Sequence, residues 1–172
     1  MNAALRSFAR AARIIVCAAF ALAHAPLAAQ SECRATNPGM ERMHIARIAL
    51  LDADGQRVEI AAHIADDPYE RADGYQHICP RVIQRSAILF RFDAPVPAQF
   101  HMNNVHAPLD IGFFDERGVL LQSMVMHPYA DGEEVLYAPM RPFQYALEAR
   151  EGFFAEKNLS AGITRLLLNS LQ

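Results

Sequence analysis

The sequence predicts an α+β fold, mostly antiparallel β, built as a small curved sheet or closed barrel with two short helices. Three observations carry that expectation. Apolar residues alternate or run together in seven or eight short segments, turn residues such as Asp54-Gly55 punctuate them, and helical signals are confined to two short stretches. The closed barrel is the favoured version, because closure removes exposed strand edges.

Residues 1–29 stand apart. They hold Arg6, Arg10 and Arg13 but no acid, and then run IIVCAAFALAHAPLAA from Ile14. A basic stretch followed by an apolar one reads as a signal peptide, and His24 and Pro26 break the run well short of the roughly 20 residues of a membrane span. Leu27 and Ala29 suit a signal peptidase site, so cleavage is expected to leave Gln30 as the first residue. Neither Cys17, after Val16, nor Cys33, after Glu32, has the small preceding residue of a lipoprotein site. The expected product is periplasmic, monomeric and free of the membrane.

Cleavage there takes the 172-residue chain to 143 residues, enough for one core, and moves the formal charge from −3 to −6. Nucleic acid and anionic membranes are poor partners for such a chain. Two cysteines remain, Cys33 and Cys79, and an oxidising compartment favours their pairing over two free thiols. Closing that loop would stabilise by about 4 kcal/mol in the chain-entropy model.

Residues 30–43 read as a polar leader tied down only through Cys33, and residues 44–172 as a single β-rich domain. IARIALLDADGQRVEIAAHIA is a β-hairpin turning at Asp54-Gly55. Asp67 and Pro68 then open a short helix that stops near Gly74. Ala87 to Phe92 is a strand ended by the prolines of DAPVPAQF. Leu109 to Phe114 and Val119 to Met126 form a second hairpin. Strands follow at Val135 to Ala138 and Phe143 to Arg150, then a helical turn in EGFFAEKN and a last strand in ITRLLL.

Several of these residues, in order, resemble the uncharacterised family called domain of unknown function 192. The matching positions are Arg71 to Gly74 in ERADG, Ile88-Leu89-Phe90, Met102 and Asn104 in FHMNNV, Pro108 to Ile111, and Leu147-Glu148 before Gly152. Departures are His101 where the family usually has Trp, Val105 where it has Thr, and Tyr75-Gln76 where it has Leu-Met. The resemblance spans roughly residues 45–168 and implies a compact β-rich domain with no settled chemistry.

The stretch FHMNNVHAPLDIGFFD, from Phe100, poses the functional question. In a strand from Leu109, Asp110 shares its face with Phe114, and a carboxylate in that company needs a partner. Glu148 poses the same problem between Leu147 and Ala149, with Phe143, Tyr145 and Leu147 on the opposite face. The expectation is one polar cluster in which Arg71, Asn104 and His106 answer Asp110 and Glu148, with His101 at its rim. Such a cluster is either a buried network that fixes the strand register or the lining of a pocket at a barrel mouth. The pocket would take a small polar ligand or a partner's backbone, making the protein a binding or accessory module.

Two alternatives remain. Asp110 and Glu148 with a histidine base could serve a hydrolase, although no GxSxG or phosphate-binding glycine loop is present. His44, His63, His77, His101, His106 and His127, with Met102, Met124, Met126 and Met140, suit copper or zinc by type, but no HxxxH or CxxC fixes ligand geometry. No metal ligand and no cofactor is therefore assigned.

Overall fold

The computed structural model describes residues 33–129 and 133–171. The expected signal segment and its cleavage site lie outside the described residues.

Strands β1 (His44–Leu51) and β2 (Arg57–Ala65) form the expected hairpin, paired from His44 opposite Ile64 to Leu51 opposite Arg57. Its turn needs a positive φ, which Gly55 supplies at 76°, while the Asp52 carboxylate accepts from the amides of Asp54 and Gln56. Asp67 then caps α2 (Pro68–Asp73): its carboxylate accepts from Tyr69 and Glu70 N–H, and Glu70 reaches back to the Asp67 amide. A further helix, α3 (Pro80–Ile83), carries the chain over one face of the sheet, so that β3 (Ile88–Val96) lies parallel to β2.

Strand β3 outruns its expected end and passes through Pro95. The register of its pairing with β8 (Phe143–Arg150) shifts between Arg91 and Val96, and a proline in that gap removes no ladder bond. Next to β8 lies β5 (Leu109–Phe114), which pairs on its other side with β6 (Leu120–Met126). The last expected strand shrinks to β9 (Arg165–Leu166), followed by a 3-10 turn at Leu168–Leu171. The sheet order is β6-β5-β8-β3-β2-β1-β9, and β4 (Phe100–His101) pairs with β7 (Leu136–Tyr137) in a separate ribbon.

The fold is therefore α+β and mostly antiparallel, but the expectation of a closed barrel is corrected to an open, curved sheet. Its two edge strands, β6 and β9, form no ladder with each other; the chain meets itself there at the isolated bridge between Val119 and Arg165 and at the Gly162 N–H donated to the Leu120 carbonyl. Two residues of β9 are too few to extend that bridge into a ladder. Leu120 and Leu166 nevertheless pack into the same apolar cluster beside it.

Both faces of this sheet are covered. Ile88, Phe90, Ile111 and Phe113 pack beneath the helical crossover with Tyr75, Ile78 and Ile83. On the other face Leu89, Phe114 and Leu147 pack with Phe153 and Phe154 of α4 (Phe153–Glu156). All six residues of β5 are buried as a result.

The polar leader is also more firmly held than its composition suggests. Cys33 and Cys79 form a disulfide, and Arg34 bridges Ile78 in parallel. Beyond them α1 (Pro38–Arg42) forms behind Asn37, and Met40 and Met43 enter the core. Asn37 itself is buried: its Oδ1 accepts from Met40 N–H at 2.8 Å, and its Nδ2 donates to the carbonyls of Gly74 and Gln76 at 3.0 Å each. One asparagine thus caps α1 and ties it to the segment after α2.

Close packing of α4 on β5 depends on Gly112. A Cβ there would stand 2.3 Å from two ring carbons of Phe154, far inside van der Waals contact. Gly112→Ala is expected to destabilise by about 1–3 kcal/mol, since the buried ring must move. Thermal denaturation checks this, and an unchanged midpoint would contradict the packing.

Candidate functional site

Strand alternation decides which polar groups can meet. Residues directly opposite in a ladder share a face, and successive residues alternate. Glu148 lies opposite Ile111, whereas Asp110 lies opposite Ala149. The two acids therefore occupy opposite faces of one sheet, and the single cluster expected of them is not formed. With both faces buried, no one substrate could touch both carboxylates, and the paired-acid hydrolase geometry is absent.

Asp110 performs a structural task. It is buried, and its Oδ2 accepts the N–H of Phe154 at 3.0 Å. That amide is in the first turn of α4, whose cap residue, Gly152, has no side chain to satisfy it. A carboxylate reaching from β5 replaces the missing cap and pins the helix to the sheet.

Asn104 also works on the backbone. It adopts a positive φ of 57°, its carbonyl accepts from His77 N–H at 2.8 Å, and its Nδ2 donates to Gln76 Oε1 at 3.2 Å. His77 has a positive φ as well, 62°, a conformation costly for a residue with a Cβ. Neither Asn104 nor half-buried His106 lines a cavity with Glu148.

On the Glu148 face there is a cavity of about 290 Å³ between α2 and the sheet. Its depth is graded. Glu148, Tyr75, Phe90 and Val105 are buried at its floor; Arg71, Phe92 and Phe100 are half-buried along its walls; Gln99 and His101 are exposed at its mouth. The structure thus brings together Arg71, Glu148 and His101 of the expected set, and leaves Asn104, His106 and Asp110 out.

Glu148 is the anomaly at this floor. Only 5% of it is exposed, and no described residue gives its carboxyl a hydrogen bond or an ion pair. Burial pushes its pKa up to about 8, so at neutral pH the carboxyl is mostly the neutral acid. Burial also raises the Tyr75 phenol, with the Ser86 hydrogen bond opposing that shift and the nearby Glu148 adding to it. The Tyr75 hydroxyl and Ser86 Oγ lie 3.0 Å apart.

Arg71 does not answer this acid. Its Nη1 donates to the Arg91 carbonyl at 3.0 Å, and its guanidinium stacks on Phe92, 4.8 Å from the ring centroid. That stack leaves a cation on the wall while the acid below stays unpaired. His101, at the mouth, accepts the Asn103 N–H through Nδ1 at 3.3 Å.

Reading the sequence residue by residue misses the aromatic lining. Phe90 and Phe92 are visible in AILFRF and Phe100 just before His101, but nothing local says that they converge. In the structure the rings of Phe90 and Phe100 meet edge to face at 5.0 Å. For the metal alternative, the described residues contain no group of three or more His, Cys, Asp and Glu able to share an ion. Met102 and Met126 are core residues, and Met140 is 95% exposed.

Comparison with known proteins follows the same lines. The sequence profile of domain of unknown function 192, described as an uncharacterized ACR, matches residues 49–165. No curated protein matches the chain. A crystal structure from Sinorhizobium meliloti, provisionally described as a transcription regulator, superposes with a TM-score of 0.63 at 24% identity, covering 73% of this chain and 94% of its own. A protein of unknown function from Novosphingobium aromaticivorans gives a TM-score of 0.63 at 20% identity, covering 80% of this chain and 95% of its own. At those identities the likeness is one of fold.

The two acids should respond oppositely to mutation. Glu148 carries a pKa raised in the folded state, so the fold holds its proton where the unfolded chain has lost it. Stability is then fully present below the ordinary Glu range near 4.5 and declines as pH rises toward about 8. Glu148→Gln removes that decline, and its melting temperature is expected to exceed wild type by a margin that grows from pH 5 to pH 8. An unchanging margin would contradict it. Asp110→Ala leaves the Phe154 amide unpaired and is expected to cost about 1–3 kcal/mol in denaturant unfolding; wild-type stability would contradict the capping role.

Proposed function

The chain belongs to the uncharacterised family of domain of unknown function 192, so its role has to come from its own cavity, and we propose that it is an exported module that binds a small polar molecule there. The observation that carries this reading is Glu148, a largely buried acid that lines the cavity and has no hydrogen bond to any described residue. Where a purely structural residue would be apolar or hydrogen-bonded, this one is left for an occupant to satisfy.

The cavity suits that role in size and lining. Its volume falls at the small end of the roughly 300–1,000 Å³ typical of ligand sites, with aromatic walls and a few convergent polar groups. Arg71 and Glu148 supply opposite polarity, and His101 stands at the mouth. Export is supported by the basic and apolar N-terminal stretch and by the Cys33–Cys79 disulfide, which persists in an oxidising compartment. The disulfide also reaches the cavity wall, since Cys79 closes the segment that contains Tyr75 and Gln76.

Native mass spectrometry of protein exported by its own cells tests the reading. A small molecule released on denaturation is expected from wild type and not from Ala98→Trp, which fills the cavity from its wall. An empty wild-type protein, or equal occupancy in both, would overturn it.

A further inference from the structure

Resting on the reading of this cavity as a ligand site, the arrangement also specifies what kind of molecule it takes. We propose that the occupant carries an ammonium or amidinium group that pairs with Glu148 at the floor, an apolar body between the aromatic walls, and an acceptor at its outer end facing Arg71.

Each part follows from the lining. At the floor, Glu148 has no hydrogen bond to any described residue, and the groups near it offer no cation. Tyr75 is engaged with Ser86, and the guanidinium of Arg71 is held on the wall by the Arg91 carbonyl and the Phe92 ring. A ligand cation would supply the partner that the protein withholds, and a charge-assisted bond is about twice as strong as a neutral one. Above the floor, the rings of Phe90 and Phe100 favour either an apolar body or the flank of a cation. Nearer the mouth, Arg71 retains N–H groups beyond the one given to Arg91, and these suit a carboxylate, phosphate or carbonyl.

One other acid, Asp73, lines the cavity. Asp73 accepts the Gly39 amide at 2.8 Å through Oδ2. His101 is exposed at the mouth, and His63, which shares the Glu148 face from β2 through Ile88, is outside the lining. Of the two acids in the lining, Glu148 is the buried one and has no hydrogen bond to any described residue, whereas Asp73 is half-buried and turned toward the Gly39 amide.

Pairing with a cation requires Glu148 to ionise, so binding at pH 7 releases a proton; the ligand brings its own charge and the acid gives up its hydrogen to buffer. Isothermal titration calorimetry of the disulfide-bonded protein, at pH 7 in two buffers of different ionisation enthalpy, reads both affinity and proton release. Four probes share one phenylethyl body: phenethylamine, 4-(2-aminoethyl)benzoate, which adds a carboxylate at the end opposite the amine, 3-phenylpropionate and 2-phenylethanol.

The amines are expected to bind at least tenfold tighter than the alcohol and the acid, with buffer-dependent heats, and to lose that margin in Glu148→Gln. 4-(2-Aminoethyl)benzoate is expected to lose more than phenethylamine in Arg71→Gln. If the alcohol or the acid binds as tightly as the amines, the cation assignment is overturned while the cavity remains a ligand site. Tight amine binding unchanged in Glu148→Gln, or binding by no amine, also overturns it. The mass-spectrometric comparison of wild type with Ala98→Trp judges the site itself independently.

Discussion

Both faces of the central sheet are buried, so each polar side chain on β5 and β8 must be answered on the face where the two-residue strand period puts it. That constraint separates Asp110 from Glu148 and gives them different lives. One residue of offset in the pairing of β5 with β8 would put both acids on one face. On one face the backbone offers an unpaired helix amide, and Asp110 takes it. On the other face the described protein offers Glu148 nothing. Two acids of similar sequence setting become a fastener and a cavity floor.

The cavity is walled in part by backbone held in place from outside the sheet. The segment from Gly74 to Cys79 includes His77 at positive φ, and it is tied at several points: by Asn37 to the Gly74 and Gln76 carbonyls, by Asn104 to His77, and by the disulfide at Cys79. A residue with a Cβ persists in that conformation only where its surroundings over-determine it. The polar N-terminal stretch therefore contributes to the wall of a cavity it does not itself line. Covalent and hydrogen-bonded ties of this kind keep a cavity open against the tendency of side chains to collapse into it.

Much of the fold was legible because its signals are local. Asp54-Gly55, the Asp67-Pro68 helix start, and the limits of β5 and β8 rest on turn chemistry, capping and alternation, all contained within a few residues. What escaped was set by contacts distant in sequence. Strand β3 continues through Pro95 because of a register shift against β8, and the sheet stays open because β9 has only two paired residues. Helix α1 forms in a polar stretch because Asn37 finds carbonyls on the far side of the hairpin. The site was half legible for the same reason. Alternation identified Asp110 and Glu148 as acids in apolar company, but which face each occupies relative to the other depends on the pairing of β5 with β8, and no pattern within either strand contains it.

The central claim is that Glu148 sits in the folded protein as a neutral, unpartnered acid. Carbon-13 NMR titration of the side-chain carboxyl carbons, with the Glu148 resonance assigned by its absence in a Glu148→Gln sample, observes that proton directly. The account predicts one glutamate carboxyl that stays protonated through neutral pH and titrates near 8. A Glu148 carbon that titrates in the ordinary glutamate range, near 4.5, would contradict it.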